Sequence, residues 1–128
     1  MPCKVFEIDR ETDVHLLLSR VQFLIEELTQ DRIIITESVI VCSELVYNII
    51  KYGNNGSLSL EVNDHFLNIE ALDYGKGFRM SLEQAFIEGV STSGSLGLGM
   101  ASVVRLCYDF TLQTSSSGTC IRCTKSII

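Results

Sequence analysis

The stretch LSLEVNDHFLNIEALD, residues 58–73, is where the fold is decided. Leu58, Leu60 and Val62 alternate with polar residues, Leu67, Ile69 and Ala71 do the same, and a polar turn around Asn63 and Asp64 joins the two runs. Alternation with a period of two marks strands buried on one face, and so short a connection makes them antiparallel neighbours. Upstream, the run from near Asp31 to Tyr52 reads as a long helix, apolar on most of its surface and largely buried, stopped by Gly53 and the turn Asn54-Asn55-Gly56. Before it, the stripe Val14, Leu17, Leu18, Val21, Leu24, Ile25, Leu28 predicts a first helix, with capping residues between Asp9 and Thr12 and a short strand at Lys4 to Ile8. Beyond Asp73 the chain turns polar and glycine-rich, and Gly75 to Ser95 reads as a lid with a short helix around Leu82 to Ile87. A helical segment from Leu98 to Cys107 follows, then two strands, Phe110 to Thr114 and Thr119 to Lys125, joined by Ser115-Ser116-Ser117-Gly118. Strands joined by hairpins rather than alternating with helices predict an α+β fold: a two-layer sandwich whose mixed, mostly antiparallel sheet is covered on one face by helices.

The bulk properties narrow the partners. A chain of 128 residues, 46% hydrophobic with one proline, has the size and composition of one globular domain spanning residues 1–128. A formal net charge of −6 argues against nucleic acid, because phosphate-backbone binding needs clustered Lys and Arg. It does not exclude nucleotides, whose phosphates are screened locally by a divalent metal and aimed backbone amides. The first residues carry no long apolar segment behind a basic one, and no stretch approaches the roughly 20 apolar residues a membrane span needs, so a cytoplasmic location is expected. Five scattered cysteines, Cys3, Cys42, Cys107, Cys120 and Cys123, suit a reducing compartment and imply no disulfide framework.

Three groups of residues can carry chemistry. Glu44, Asn48 and Lys51 fall within an arc of roughly 60° at 100° per helical residue, so they share one face of the second helix, either as a solvated stripe or as a site. Asp73 has the strand parity of Leu67, Ile69 and Ala71, so it ends a core-facing row; it is either an ordinary turn aspartate or an acceptor at the bottom of a pocket, with Gly75 and Gly77 allowing close backbone approach. The loop Ser91-Thr92-Ser93-Gly94-Ser95-Leu96-Gly97-Leu98-Gly99 runs into a helix, and reads either as a flexible surface loop or as an anion site built from free backbone N–H groups. No Gly-Lys-Ser/Thr exists, which excludes a P-loop, and Ser102 stands where the dinucleotide fingerprint needs glycine or alanine. Cys120 and Cys123, three apart on a strand, point to opposite faces and read as structural rather than as half of a metal site; His15 and His65 lack a paired spacing.

Taken in order, Glu44-x-x-x-Asn48, Asp73-x-Gly75-x-Gly77, Gly94-x-x-Gly97-x-Gly99 and Gly118-Thr119 resemble the boxes of the gyrase, heat-shock chaperone, histidine kinase and MutL ATPase superfamily. Within it, Ser43-Glu44-Leu45 with Asn48, and Ser91 to Gly99 leading to Val104-Arg105-Leu106, look most like the RsbT-type switch-protein serine kinases, relatives of anti-sigma factor kinases. The resemblance spans about residues 36 to 125 and implies the Bergerat ATP-binding fold and an ATP-dependent protein serine/threonine kinase of a bacterial stress-response partner switch. It implies ATP and Mg²⁺ as ligands: Asn48 on the metal, Glu44 as general base, Asp73 and Thr119 at adenine, Gly94, Gly97, Leu98 and Gly99 along the phosphates, and Lys51 as a phosphate contact. Gly75 and Gly77 would shape the turn after Asp73. Implied partners are a STAS-domain protein, a serine phosphatase regulatory domain and, in the alternative of an anti-sigma factor or binding module with little kinase activity, a sigma factor. Ser95, Tyr74 and Lys76 depart from the family pattern.

Overall fold

A computed structural model describes residues 3–52, 55–74 and 95–127, with backbone alone at 52 and 95–99. The elements are β1 (Lys4–Ile8), α1 (Val14–Glu26), α2 (Arg32–Tyr52), β2 (Gly56–Asn63), β3 (Phe66–Asp73), α3 (Ser95–Leu106), β4 (Asp109–Ser115) and β5 (Gly118–Ser126). One five-stranded sheet has the order β1-β2-β3-β5-β4, and all four pairings are antiparallel. The expected α+β sandwich is therefore the fold observed.

The helices begin where short polar side chains satisfy free backbone donors. Asp13 caps α1 by accepting from the Leu16 N–H at 3.1 Å, and Asp31 caps α2 by accepting from Ile33 and Ile34. The expected caps between Asp9 and Thr12 instead close a turn, in which Asp9 accepts from the Glu11 N–H and Thr12 from the Asp9 N–H.

α2 is the central helix, packed between α1 and α3 and against the inner face of the sheet. Val41, Cys42, Leu45, Val46 and Ile49 meet Leu58, Leu60, Leu67, Ile69 and Ile121 in the core, and each fully buried aliphatic side chain contributes about 1.5–3 kcal/mol. The helix is less buried than its sequence suggests. Ile33, Ile40 and Tyr47 recur every seven residues and are exposed, because α1 and α3 grip the flanks and leave this line open. Arg32–Lys51 is also long and apolar enough to cross a membrane by length and composition, with mean hydropathy 1.8, contrary to the expectation that no stretch reaches that level. In the fold its apolar side is used on the sheet.

Away from the β3 end, two links tie α3 down. Lys125, at the end of the inward row Thr119, Ile121, Cys123, is buried; its Nζ donates to Glu37 Oε1 at 2.6 Å and to the Leu106 carbonyl at 2.7 Å. Cys107 and Cys123 form a disulfide, with Cα atoms 5.8 Å apart. The absence of any disulfide was the expectation, and the fold corrects it: Cys123 faces inward and Cys107 closes the last turn of α3 directly over it, a proximity that spacing along the chain does not reveal. Cys120 points to the other face, as expected, and takes no part.

Candidate functional site

One row crosses the sheet at its end: Ile8, Gly56, Asp73, Thr119 and Thr114 stand opposite one another in register. Directly opposed side chains on one face lie within about 5.5 Å at Cβ, so Asp73 and Thr119 form one polar floor at the edge of the apolar core. Thr119 is buried and its Oγ1 lies 2.9 Å from Thr114 Oγ1. Asp73 is half-buried. A cleft of about 290 Å³ opens at this end of the sheet; Asp73, Thr114 and Thr119 line it together with Leu72, Gln113 and Cys120 of the other face, and among the described residues none from α2 or α3 lines it.

Two glycines set the position of Asp73. A Cβ on Gly56 would overlap the Leu72 carbonyl oxygen and come within 2.9 Å of Ile49 Cγ2, so only glycine lets α2 lie this close to the strand. Gly118 has φ +147°, a conformation side chains rarely adopt, and a Cβ there would overlap the Asp73 carbonyl. Gly56 was read from sequence only as part of a turn. It is the first residue of β2.

α2 carries Glu44 and Asn48, both half-buried, one turn apart, with exposed Lys51 in the last turn. Asn48 Nδ2 is buried and has no hydrogen-bond partner among the described residues. An orphaned buried amide costs about 1–3 kcal/mol, and such a group is satisfied by a ligand at functional sites. Gly97, Leu98 and Gly99 lie inside α3, which starts at Ser95 rather than at Leu98 as expected. They belong to its first turns, where the leading N–H groups lack intrahelical acceptors and the helix dipole is positive. Gly75, Gly77 and Gly94, the expected lid and its short helix near 82–87 lie outside the described residues, apart from Ser95. Thr114 escaped the sequence reading; its signal was the parity of Phe110, Leu112 and Thr114 beside the Thr119 row. No cluster of His, Cys, Asp and Glu suited to a metal occurs among the described residues.

A two-layer domain of this topology shares its fold with histidine kinase domains. Its backbone matches the RsbU and RsbW domains of Rv1364c from Mycobacterium tuberculosis with TM-score 0.72 at 15% identity, over 99% of this chain and 33% of that one. It also matches the histidine kinase domain of the Erythrobacter litoralis EL346 blue-light activated histidine kinase, with TM-score 0.60 at 14% identity over 94% of this chain and 64% of that one. The chain thus spans about a third and just under two thirds of these two structures. No protein-family model matches. In sequence the chain is 36% identical over 102 residues to the serine/threonine-protein kinase RsbT of Bacillus subtilis (strain 168), covering 76% of this chain and 74% of that protein. The chain belongs to the RsbT family and is a protein serine/threonine kinase.

Proposed function

We propose that this kinase transfers the γ-phosphoryl group of ATP to a seryl or threonyl hydroxyl on a STAS-domain partner, in a cytoplasmic partner switch of the bacterial stress response. It then binds and activates a phosphatase through that enzyme's regulatory domain. The observation that carries the site assignment is the in-register pairing of Asp73 with Thr119 on the polar floor, in a chain akin to a kinase.

In this reading Asp73 accepts the adenine amino group and Thr119 meets the neighbouring ring nitrogen. The first turn of α3, with Gly97, Leu98 and Gly99, lies along the phosphates with its free N–H groups, Gly94 precedes it, and Lys51 supplies a positive charge. Gly75 and Gly77 turn the chain away from Asp73. The amide of Asn48 suits a hard cation through its oxygen, and rotating the amide by 180° exchanges the buried nitrogen for that oxygen. Asn48 would hold Mg²⁺ there, and the ion would supply neutralisation of the phosphate charge. Glu44, one turn away, takes the proton from the substrate hydroxyl as its oxygen bonds to the γ-phosphorus and the bond to ADP breaks.

Incubation with Mg-ATP and a STAS-domain protein is expected to label a seryl or threonyl residue. Glu44→Gln should abolish transfer while ATP binding persists, and undiminished transfer would refute the assigned base. Pull-down of a sigma factor, in place of a STAS protein and a phosphatase, would replace this reading with that of an anti-sigma binding module.

A further inference from the structure

We propose that Cys107 and Cys123 form a thiol switch on nucleotide binding: closing the bond fixes the far end of α3 and raises ATP affinity, and opening it lowers that affinity. This rests on the placement of the first turns of α3 along the phosphates above.

The position of the bond makes it a control point. α3 packs chiefly on α2 and meets the sheet at β5 through a smaller contact. Its specific ties to that strand gather at one end. Lys125 Nζ donates to the Leu106 carbonyl at 2.7 Å, the Tyr108 N–H donates to the Thr124 carbonyl at 2.7 Å, and the disulfide joins Cys107, between them, to Cys123. The two hydrogen bonds fix where the helix ends. The covalent bond starts from a residue whose N–H still donates to the Val103 and Val104 carbonyls, so it also restrains how the last turn lies on the strand. The opposite end of α3, beginning at Ser95, carries Gly97 and Gly99. A helix is stiff, and at 1.5 Å rise per residue Gly97 lies about 15 Å from Cys107, so a small tilt at the cysteine is largest near the glycines. Anion binding there needs several N–H groups aimed at one place. With the bond closed they are held ready; with it open, binding must first restrict the tilt, and that ordering lowers affinity.

The pair can be addressed from solution. Cys123 is buried and Cys107 half-buried, so exchange starts at Cys107. In oxidation, the Cys107 thiolate attacks one sulfur of a small disulfide of the glutathione type and expels one thiolate. The Cys123 thiolate, its proton given to water, then attacks Cys107 Sγ, forms the protein disulfide and expels the second. Two protein thiols thus lose two electrons, and one small disulfide becomes two thiols. A dithiol reverses the sequence. In the reducing compartment proposed above, disulfides are usually transient and serve redox sensing or catalysis.

ATP affinity of the full chain would be measured by calorimetric titration with the pair oxidised and, after dithiol treatment, reduced. Mass spectrometry of alkylated peptides reports the state of Cys107 and Cys123, and thermal unfolding verifies that both forms are folded. The oxidised form is expected to bind ATP about fivefold more tightly. Cys107→Ser, which keeps the free thiols Cys3, Cys42 and Cys120, should bind like the reduced form with or without dithiol. Because coupling is reciprocal, saturating Mg-ATP should shift the ratio of squared glutathione to glutathione disulfide at half-oxidation by the same factor. Equal ATP affinity of the two folded forms, with only stability changed, overturns the proposal, as does tighter binding by the reduced form. A reduced form that does not fold assigns the bond to structure alone and overturns it too. Absence of ATP binding by either form overturns the nucleotide-site reading beneath it.

Discussion

Replacing Gly56 with alanine tests whether the floor of the site is set by backbone contact. The added Cβ would overlap the Leu72 carbonyl oxygen and lie 2.9 Å from Ile49 Cγ2 and 3.1 Å from Asp73 Cα. Two of those obstacles are backbone atoms of β3 and cannot rotate away, and Ile49 is buried in the core. Strand or helix must therefore shift. Overpacking of this kind costs about 1–3 kcal/mol, and backbone obstacles place Gly56→Ala at the upper end. Loss of glycine's freedom in the unfolded chain returns about 0.4–1 kcal/mol, which leaves a net loss near 2 kcal/mol. With an unfolding entropy of about 2.1 cal/mol/K per residue over 128 residues, that lowers Tm by roughly 7 °C. The displacement falls on Asp73, paired with Gly56, and on Ile49, next to Asn48, so ATP affinity should fall as well. Thermal unfolding by circular dichroism and nucleotide titration read the two effects. A variant melting within about 2 °C of wild type, with unchanged ATP affinity, would refute the argument.

Two further outcomes follow from the cysteines. Reduction of the Cys107–Cys123 disulfide, whose ends are 16 residues apart, should lower stability by about 3 kcal/mol; urea unfolding with and without reductant measures it, and Cys107→Ser should remove the difference. Burial pushes the Cys42 thiol up from 9.0 to about 12, so the folded protein keeps a proton that the unfolded chain releases. Stability from this group is intact below pH 9 and is lost as pH rises toward 12, at about 1.4 kcal/mol per pH unit. Urea unfolding across pH 8–10.5 should therefore show a steeper alkaline decline for wild type than for Cys42→Ala, and parallel curves would contradict it.

The strands and helices were legible because each buries a single face, and periods of two and near four survive in the sequence: the alternation through residues 58–73 and the stripe from Val14 to Leu28 both mark core faces. Asp73 and Thr119 were legible for the same reason, as polar residues at the ends of inward rows. Properties of the neighbouring element were not. Gly56 looks like any turn glycine until α2 is laid across it, and Lys125 looks like a surface lysine until Glu37 and the Leu106 carbonyl surround it. The exposure of Ile33, Ile40 and Tyr47 depends on where α1 and α3 stop. The start of α3 at Ser95 ran against the low helix propensity of glycine, which packing overrides. The disulfide required knowing that a helix end meets a strand centre.

That disulfide also has a topological consequence. It closes a covalent ring containing all of β4, the Ser115–Ser117 turn and β5 as far as Cys123, and among the described residues β4 is an edge strand of the sheet. Edge strands are the elements that neighbouring molecules most readily borrow or extend. With the ring closed, β4 cannot leave β5 to pair with a second molecule without dragging α3 and the sheet centre along. While it is oxidised, the bond holds this margin of the sheet against strand exchange, and a cut in the serine-rich turn would leave two pieces that stay joined until reduced.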